Sequence, residues 1–257
     1  MMAVSGKRAP YPDPWEDDGK VWCYYDITDT SAATKLLYSA NAFNGMEVDG
    51  AAVTLAASYL FAMPGEHLVK FSLNDGYIES GAWRSIGAVL KRVYLPDTVT
   101  GLANYTFYNC TSLTIVRLSP NITSIGQNCC YGAPIRGSLN LTKLTSLGGS
   151  NALRGTAFTS IMSLGTVTSI PNSAFRQCVS LKYVELPATL SSIAGYGFYN
   201  APIEMLVCQA VTPPTIGSAS FSGNKFVSIK VPAESVETYK TASGWSSYAS
   251  KIQAIEE

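Results

Sequence analysis

Apolar side chains return at a regular interval along most of this chain, in the same order each time. The unit is clearest in the 22 residues Leu181 to Pro202, LKYVELPATLSSIAGYGFYNAP. Equivalent units begin at Leu68, Leu90, Leu113, Ile135, Phe158, Leu181, Ile203 and Phe226. Every interval is 22 or 23 residues and none is interrupted, so the pattern predicts one repeating array over residues 68–231.

Each unit opens with a predicted strand and closes with a bulky side chain. Val93 and Leu95 are two residues apart, the period of a strand with one buried face. Pro96 ends that strand because it has no N–H to donate. Val99 and Leu102 then point inward from the second half of the repeat unit. The closing residues are Phe107, Cys130, Leu153, Phe175, Phe198 and Phe221. Stacking of neighbouring units would bury these side chains, each worth roughly 1.5–3 kcal/mol.

A period of roughly 20–29 residues with leucine-like positions is typical of a leucine-rich repeat solenoid. We therefore predict an α/β solenoid. It is a right-handed coil of short strands and loops, with one parallel β-sheet face and a cap at each end. In the unit that begins at Ile135, Leu139 and Leu141 lie one residue late. We interpret this shift as a one-residue bulge and not as a break.

Two copies of the repeat carry a specific resemblance. The pattern LxxVxLPxxVxxIxxxxFxxCxS, present over residues 90–112 and 158–180, resembles the BspA-like (treponemal-type) leucine-rich repeat. The ending VPAESVETYKTASGWSSYASKIQAI is similar to the closing segment of such proteins from Bacteroides-type bacteria. The resemblance covers about residues 65–255. It implies a non-catalytic protein at the cell surface or outside the cell, with a role in adhesion or host binding.

The segments outside the array are predicted from their composition. Residues 1–20, rich in proline and acidic residues, form a flexible N-terminal tail. Residues 21–67 form an N-terminal cap with strands at VWCYY and TKLLY, and the stretch from Met46 to Glu66 is a candidate for a degenerate first repeat. Residues 232–257 form a C-terminal cap, with a helix in AESVETYKTAS and an edge strand at KIQAI.

Charge and composition exclude several functions. The chain has 18 basic and 18 acidic residues, a balance that argues against nucleic acid, which needs a basic stripe, and against a polybasic membrane contact. No apolar run reaches the roughly 18 residues of a membrane span. With a single histidine, His67, and no nucleophile motif, the sequence predicts no enzyme, no metal and no cofactor. His67 is expected to end a loop.

The six cysteines are predicted to be buried free thiols. Cys110 and Cys178 hold the same position three turns apart, so roughly 15 Å separates them at about 4.8 Å per strand step. A disulfide requires Cα atoms within about 7 Å of each other. The spacing therefore excludes a disulfide between this pair.

The first residues lack the apolar central region of a secretory signal. Two alternatives follow: a chain trimmed after export, or the natural start of a protein exported otherwise, such as a phage structural protein. In the second case the array would be a structural or virion component, a spacer with assembly contacts at its ends.

The predicted binding surface is the outward row of the parallel sheet. Its side chains are larger and more apolar than solubility requires, as expected of an interaction surface with tyrosine and arginine anchors. The row consists of Arg92, Tyr94, Ile115, Arg117, Met162, Tyr183, Glu185, Met205 and Val207. The pattern is also compatible with two alternatives, since such residues suit strands in general and the row could join copies of the chain.

We expect the row to bind a protein or an extracellular matrix partner, with the chain itself a monomer. A glycan is less suited, since Tyr94 and Tyr183 lie four turns apart and cannot form one small sugar pocket.

Overall fold

The fold is a parallel β-solenoid of about 8 turns with few helices, which confirms the fold class predicted from the repeat. The computed structural model describes residues 17–256, so residues 1–16 of the predicted tail lie outside the described part. Most turns carry a longer strand on one face, here called the front face, and a two-residue strand on another, here called the back face.

Residues 17–20 belong to the ordered N-terminal cap and not to a tail. The Asp18 carboxylate accepts hydrogen bonds from Trp22 Nε1 and Lys70 Nζ, both at 2.7 Å. The first strand already begins at Lys20. The predicted boundary is therefore wrong, because the Asp18 carboxylate, placed within the flexible tail by the prediction, instead holds the first strand in place.

The N-terminal cap consists of strands that pair antiparallel. They are β1 (Lys20–Ile27), β2 (Thr34–Lys35), β3 (Phe43–Val48), β4 (Ala51–Val53), β5 (Ser58–Tyr59) and β6 (Gly65–Leu73). Strands β3 and β4 form a hairpin, closed by Asp49 and Gly50 at φ 50° and 86°. Tight two-residue hairpin turns require this conformation. The degenerate first repeat predicted from Met46 is therefore wrong.

From residue 77 onward the chain alternates between the back and front faces. The strands are β7 (Tyr77–Ile78), β8 (Leu90–Tyr94), β9 (Gly101–Leu102), β10 (Ile115–Arg117), β11 (Ser124–Ile125), β12 (Arg136–Asn140), β13 (Ser146–Leu147), β14 (Ala157–Ser163), β15 (Ser169–Ile170), β16 (Tyr183–Leu186), β17 (Ser192–Ile193), β18 (Met205–Cys208), β19 (Thr215–Ile216) and β20 (Ser228–Val231). The even-numbered strands form the front face, and the odd-numbered strands form the back face.

Strand β1 runs antiparallel between β6 and β8 and pairs with both. The parallel front ladder consequently begins at β8, in the unit that starts at Leu90, and not at Leu68 as the repeat predicts. The back half of the Leu68 unit keeps its place, since β7 pairs in parallel with β9. Insertion of β1 covers the open edge that a solenoid otherwise leaves at its end.

The front ladder is interrupted once among the described residues, between β10 and β12, which are edge strands of separate sheets. Strand β12 belongs to the irregular Ile135 unit, and its register against β14 shifts twice. The unit thus contains bulges, as expected, but it also interrupts the front ladder, so the interpretation that it is no break is wrong for this sheet. The interior remains continuous, because Leu139 and Leu141 are both buried.

On the back face the interruption falls one turn later, between β13 and β15. Here Thr166 N donates to Leu144 O at 2.8 Å. The neighbouring Gly165 has φ 58°, and a Cβ on it would overlap the Leu144 carbonyl. Only glycine allows the two turns to approach this closely.

The predicted closing residues form a stack through the interior. All of them are buried: Phe107, Cys130, Leu153, Phe175, Phe198 and Phe221. Phe198 stacks on Phe175 at 5.1 Å between ring centroids and on Phe221 at 5.8 Å. Trp83 extends the stack by one turn, with its ring 5.2 Å from that of Phe107. The stack therefore joins one turn to the next along most of the coil.

The corner after each back strand has a fixed backbone conformation. Around Phe198, for example, Tyr196 and Asn200 have φ 58° and 54°. A non-glycine residue costs roughly 1–2 kcal/mol in this conformation. Asn200 N in return donates to Ser222 O of the next turn at 2.8 Å. The same geometry recurs from turn to turn. It places the residue that follows the buried closing side chain, here Tyr199, at the surface.

The C-terminal cap covers the last turn. It contains a 3₁₀ helix (Ala233–Ser235), the helix α1 (Val236–Thr241), a second 3₁₀ helix (Ser246–Lys251) and β21 (Ile252–Ala254). Trp245 packs edge-on against Phe221 at 5.6 Å and donates from Nε1 to Pro214 O at 2.8 Å. Tyr239 donates to Ala210 O at 2.7 Å. Strand β21 pairs in parallel with β20, as the KIQAI segment predicts.

We expect Phe198→Ala to lower the free energy of unfolding by about 3–5 kcal/mol, because it opens a cavity between two stacked rings. Guanidinium denaturation followed by circular dichroism measures the change. The control Val179→Ala shortens an apolar side chain that is 68% exposed, and should change the free energy by less than about 0.5 kcal/mol. Equal losses in the two variants would contradict the role of the stack.

Candidate functional site

The N-terminal cap contacts the first two residues of the predicted contact row. Arg92 forms an ion pair with Glu66, and its guanidinium lies 4.3 Å from the centroid of the Tyr24 ring. Tyr94 meets the Tyr24 ring edge-on at 5.7 Å and packs against the buried Trp22. Arg92 and Tyr94 therefore pack beside the cap while staying partly exposed, and their role in a binding row stays a prediction. The local pattern places them on the front face but does not reveal the strand beside them.

The middle of the row lies at the break in the front ladder. Ile115 is 46% exposed. Arg117 is held by its own turn, since Nη1 donates to Leu95 O and Nη2 to Asp97 Oδ1, both at 2.8 Å. Between β10 and β12 lies a groove of about 220 Å³, with Arg136 on its far wall. Arg117 is thus less available as an anchor than its position in the repeat implies.

The C-terminal part of the row is open. Tyr183 lies opposite Ser160 on one side and Met205 on the other, in parallel register. Met162 and Met205 are 44% and 39% exposed, and Tyr183 is half-buried between their strands. We call Ser160, Met162, Tyr183, Glu185 and Met205 the open front patch.

Val207 is not part of this patch, because its side chain is only 7% exposed. It lies in the ladder between Glu185 and Lys230, whose longer side chains flank it. Val207 therefore offers little surface to a partner, and its role as a contact residue stays a prediction. The alternation of inward and outward side chains along a strand identifies the outward face. It does not show whether longer side chains on neighbouring strands bury an outward residue.

A cleft of about 200 Å³ lies at one end of the open front patch, between Met162 and Glu185. Gln209 closes its side, with Nε2 donating to Glu185 Oε1 at 3.4 Å. Burial first, and the Glu185 carboxylate second, raise the pKa of the Tyr183 hydroxyl. Tyr183 is therefore neutral near pH 7 and presents a hydrogen-bond donor beside the two methionines.

His67 lies within β6 and does not end a loop. Its Nδ1 lies 2.6 Å from Asp49 Oδ2, and its Nε2 lies 2.9 Å from Met63 O. Both ring nitrogens are thus occupied by protein acceptors. Within residues 17–256, no group of three His, Cys, Asp or Glu side chains is placed to hold a metal ion.

All six cysteines are free and buried, as predicted from their positions in the repeat. Burial raises the pKa of the Cys110 thiol to about 12 and that of Cys178 to about 11. The adjacent Cys129 and Cys130 have their sulfur atoms 3.8 Å apart. A disulfide needs about 2.05 Å between the sulfurs, so these side chains act as packing groups.

A second row of side chains, which the sequence analysis missed, occupies the corner of the coil. Each member directly follows a closing residue of the interior stack, and a residue at positive φ follows it in turn. We call Arg84, Tyr108, Tyr131, Arg154, Arg176 and Tyr199 the corner row. The sequence does contain a pattern that identifies this row. In six successive turns, the residue directly after the closing residue is always tyrosine or arginine.

The alternation of front and back strands over 22 or 23 residues defines the class of this protein, a leucine-rich-repeat-type solenoid. Residues 64–150 and 148–253 match the family described as BspA type leucine rich repeat region, with 6 copies. The matched segments span most of the chain, and the chain belongs to this family. Repeats of this family are in general protein-binding and adhesion modules.

A leucine-rich repeat protein from Bacteroides ovatus ATCC 8483, known from a crystal structure at 1.19 Å resolution, is similar in structure. Its sequence identity to this chain is 15%, the match covers 91% of this chain and 74% of that chain, and the TM-score is 0.37. Comparison with curated proteins finds no match. Over the described range, 17–256, no helix is both long and apolar enough to cross a membrane.

We expect all six thiols to be unreactive toward Ellman's reagent in the native protein at pH 8, and to react in full after denaturation.

The raised thiol pKa values mean that the folded state holds protons which the unfolded chain releases above its ordinary pKa of about 8.5. Stability should therefore be complete below that pH and decline as the pH rises above it. A thiol that reacts rapidly in the native protein would contradict this burial.

Proposed function

We propose that this protein is a non-catalytic binding module at the cell surface or outside the cell, and that it holds a protein or matrix partner on the open front patch. One observation carries the proposal: the well-exposed Met205 lies directly opposite the half-buried Tyr183, and the well-exposed Met162 lies two residues beyond Ser160, the partner of Tyr183 on its other side. Exposed apolar groups that lie together on a rigid surface are typical of protein-binding sites.

The surroundings of the open front patch support the same proposal. Lys182 and Glu204 form an ion pair at 2.6 Å beside the patch, with both side chains 49% exposed. An apolar centre with a polar rim is the usual anatomy of a protein interface. Because the strands are held in register with β14 and β20, the patch is already ordered before binding. A partner would then lose little free energy to the ordering of this side of the interface.

The non-catalytic role is supported by the environment of the one histidine. With both of its ring nitrogens hydrogen-bonded to protein oxygens, His67 has no free position from which to take a proton from a substrate.

We expect Tyr183→Ala to reduce binding to a matrix partner by about tenfold or more, since an aromatic anchor at the centre of an interface often contributes about 2 kcal/mol or more. Surface plasmon resonance against purified collagen, laminin and fibronectin measures the effect. The melting temperature should stay within a few degrees of the wild-type value. Val179→Ala is the matched control outside the patch. Binding that survives Tyr183→Ala unchanged would exclude this face.

We also expect the protein to be a monomer in solution, because strand β1 covers the first parallel turn and the C-terminal helix and Trp245 cover the last. Multi-angle light scattering at high protein concentration tests this expectation. A stable multimer would instead favour the alternative function, a structural spacer that assembles through its ends.

A further inference from the structure

The corner row is a continuous and rigid column of side chains, separate from the open front patch. The backbone of each turn is bonded to the next at this position. Gly132 N donates to Arg154 O at 3.0 Å, and Gly155 N donates to Arg176 O at 2.9 Å. The row therefore presents one side chain per turn, at the spacing of the coil.

The rings and guanidinium groups of the corner row contact one another along the column. The Tyr108 and Tyr131 rings stack with centroids 5.2 Å apart. The Arg154 guanidinium lies 5.0 Å from the Tyr131 centroid, and that of Arg176 lies 5.1 Å from the Tyr199 centroid. Such cation–π contacts restrict the arginines without neutralising their charge.

Negative charge is absent from the chain segments that form this corner. They carry no aspartate and no glutamate: 81–87, 104–111, 127–133, 150–156, 172–179 and 195–201. Among the ion pairs of the described residues, none involves Arg84, Arg154 or Arg176. A protein of zero net charge thus has a positive strip along one corner. Such a strip attracts anions to this part of the surface.

The two arginines in neighbouring turns are bonded differently. Arg154 donates from Nε and Nη2 to Gln177 Oε1, at 3.1 and 2.9 Å, so a neutral amide fixes its position. The Arg176 side chain makes no hydrogen bond to any residue that the structure describes, and its buried Nε has no acceptor. A bound anion could supply acceptors for the remaining N–H groups of Arg176 and neutralise the like-charged pair.

We propose that the corner row binds a linear anionic polysaccharide that runs along the coil. Arg154 and Arg176 would hold its carboxylate or sulfate groups. The outward edges of the Tyr108, Tyr131 and Tyr199 rings would contact the sugar units, and their hydroxyls would bond sugar hydroxyls, because the ring faces already meet one another and the arginines along the column. The proposal concerns a different surface from the open front patch and does not depend on it.

The spacing of the row favours this polymer over an acidic peptide. Successive turns lie about 4.8 Å apart, whereas an extended peptide presents side chains on one face only every 6.8 Å or so. A peptide would therefore fall out of step with the row within two turns, while a chain of pyranose rings advances by about one turn per sugar. Single-stranded nucleic acid needs a longer basic groove along its backbone, and three arginines over six turns do not provide one.

Isothermal titration calorimetry with four polymers tests the proposal: heparin, polygalacturonate, neutral dextran and poly-L-glutamate. We expect at least one of the two anionic polysaccharides to bind, and dextran and poly-L-glutamate to bind at least about tenfold more weakly. Binding of heparin alone would identify sulfate as the anion, and binding of polygalacturonate would identify carboxylate as sufficient. Absence of binding to both polysaccharides, or equal binding of dextran, would overturn the proposal. Equal binding of poly-L-glutamate would make an acidic polypeptide the occupant and would also overturn it.

The double variant Arg154→Gln/Arg176→Gln should weaken polysaccharide binding by about tenfold or more. Arg136→Gln, an exposed arginine on the front face, is the matched control and should leave affinity within about twofold, as expected for a charge outside the site. If the double variant melts at a lower temperature, Arg84→Gln, at an exposed member of the row, tests the same surface. Unchanged affinity in a folded corner-row variant would overturn the proposal. Tyr183→Ala should leave polysaccharide binding intact, which separates this test from that of the front patch.

Discussion

The structure depends on one constraint: each turn of the coil must hydrogen-bond its backbone to the next turn and bury its apolar side chains against it, at the same positions each time. The in-register contacts of Phe175, Phe198 and Phe221 are one column of this kind, and the backbone bonds at the corner are another. Because every column needs a neighbour above and below, the repeat length is held at 22 or 23 residues. The same constraint leaves both ends open, and so demands caps with different structures.

This dependence explains which parts of the fold follow from the sequence. Interior columns recur at a fixed interval, so Val184, Phe198 and their equivalents are assigned by counting alone. The cap has no such interval. The strand at Leu68 fits the repeat as well as any other, yet β1 takes the place beside β8. Which strand pairs with a given strand depends on residues far apart in the sequence, and the local pattern of apolar residues does not reveal it.

The predicted site shows the same division between pattern and context. Alternation along a strand correctly indicates that Met162, Tyr183 and Met205 face outward, because it depends only on the two-residue period. It does not show that Arg92 and Tyr94 pack beside a strand of the cap, or that Val207 is nearly buried between longer side chains. The corner row was missed for another reason: a search for buried positions passes over the residue that follows each of them, although that residue is equally periodic.

In a coil of this kind, equivalent surface positions of successive turns lie in a column. A side chain that contacts a partner in one turn therefore has a counterpart, the same or different, in the next turn. The open front patch and the corner row are built from different positions of the turns that they share. A substitution on one surface therefore has no direct contact with the other. If one extended partner reached both, the second contact would form at the high effective concentration set by the first, and the two modest affinities would combine. A solenoid can thus achieve firm attachment without any single deep pocket.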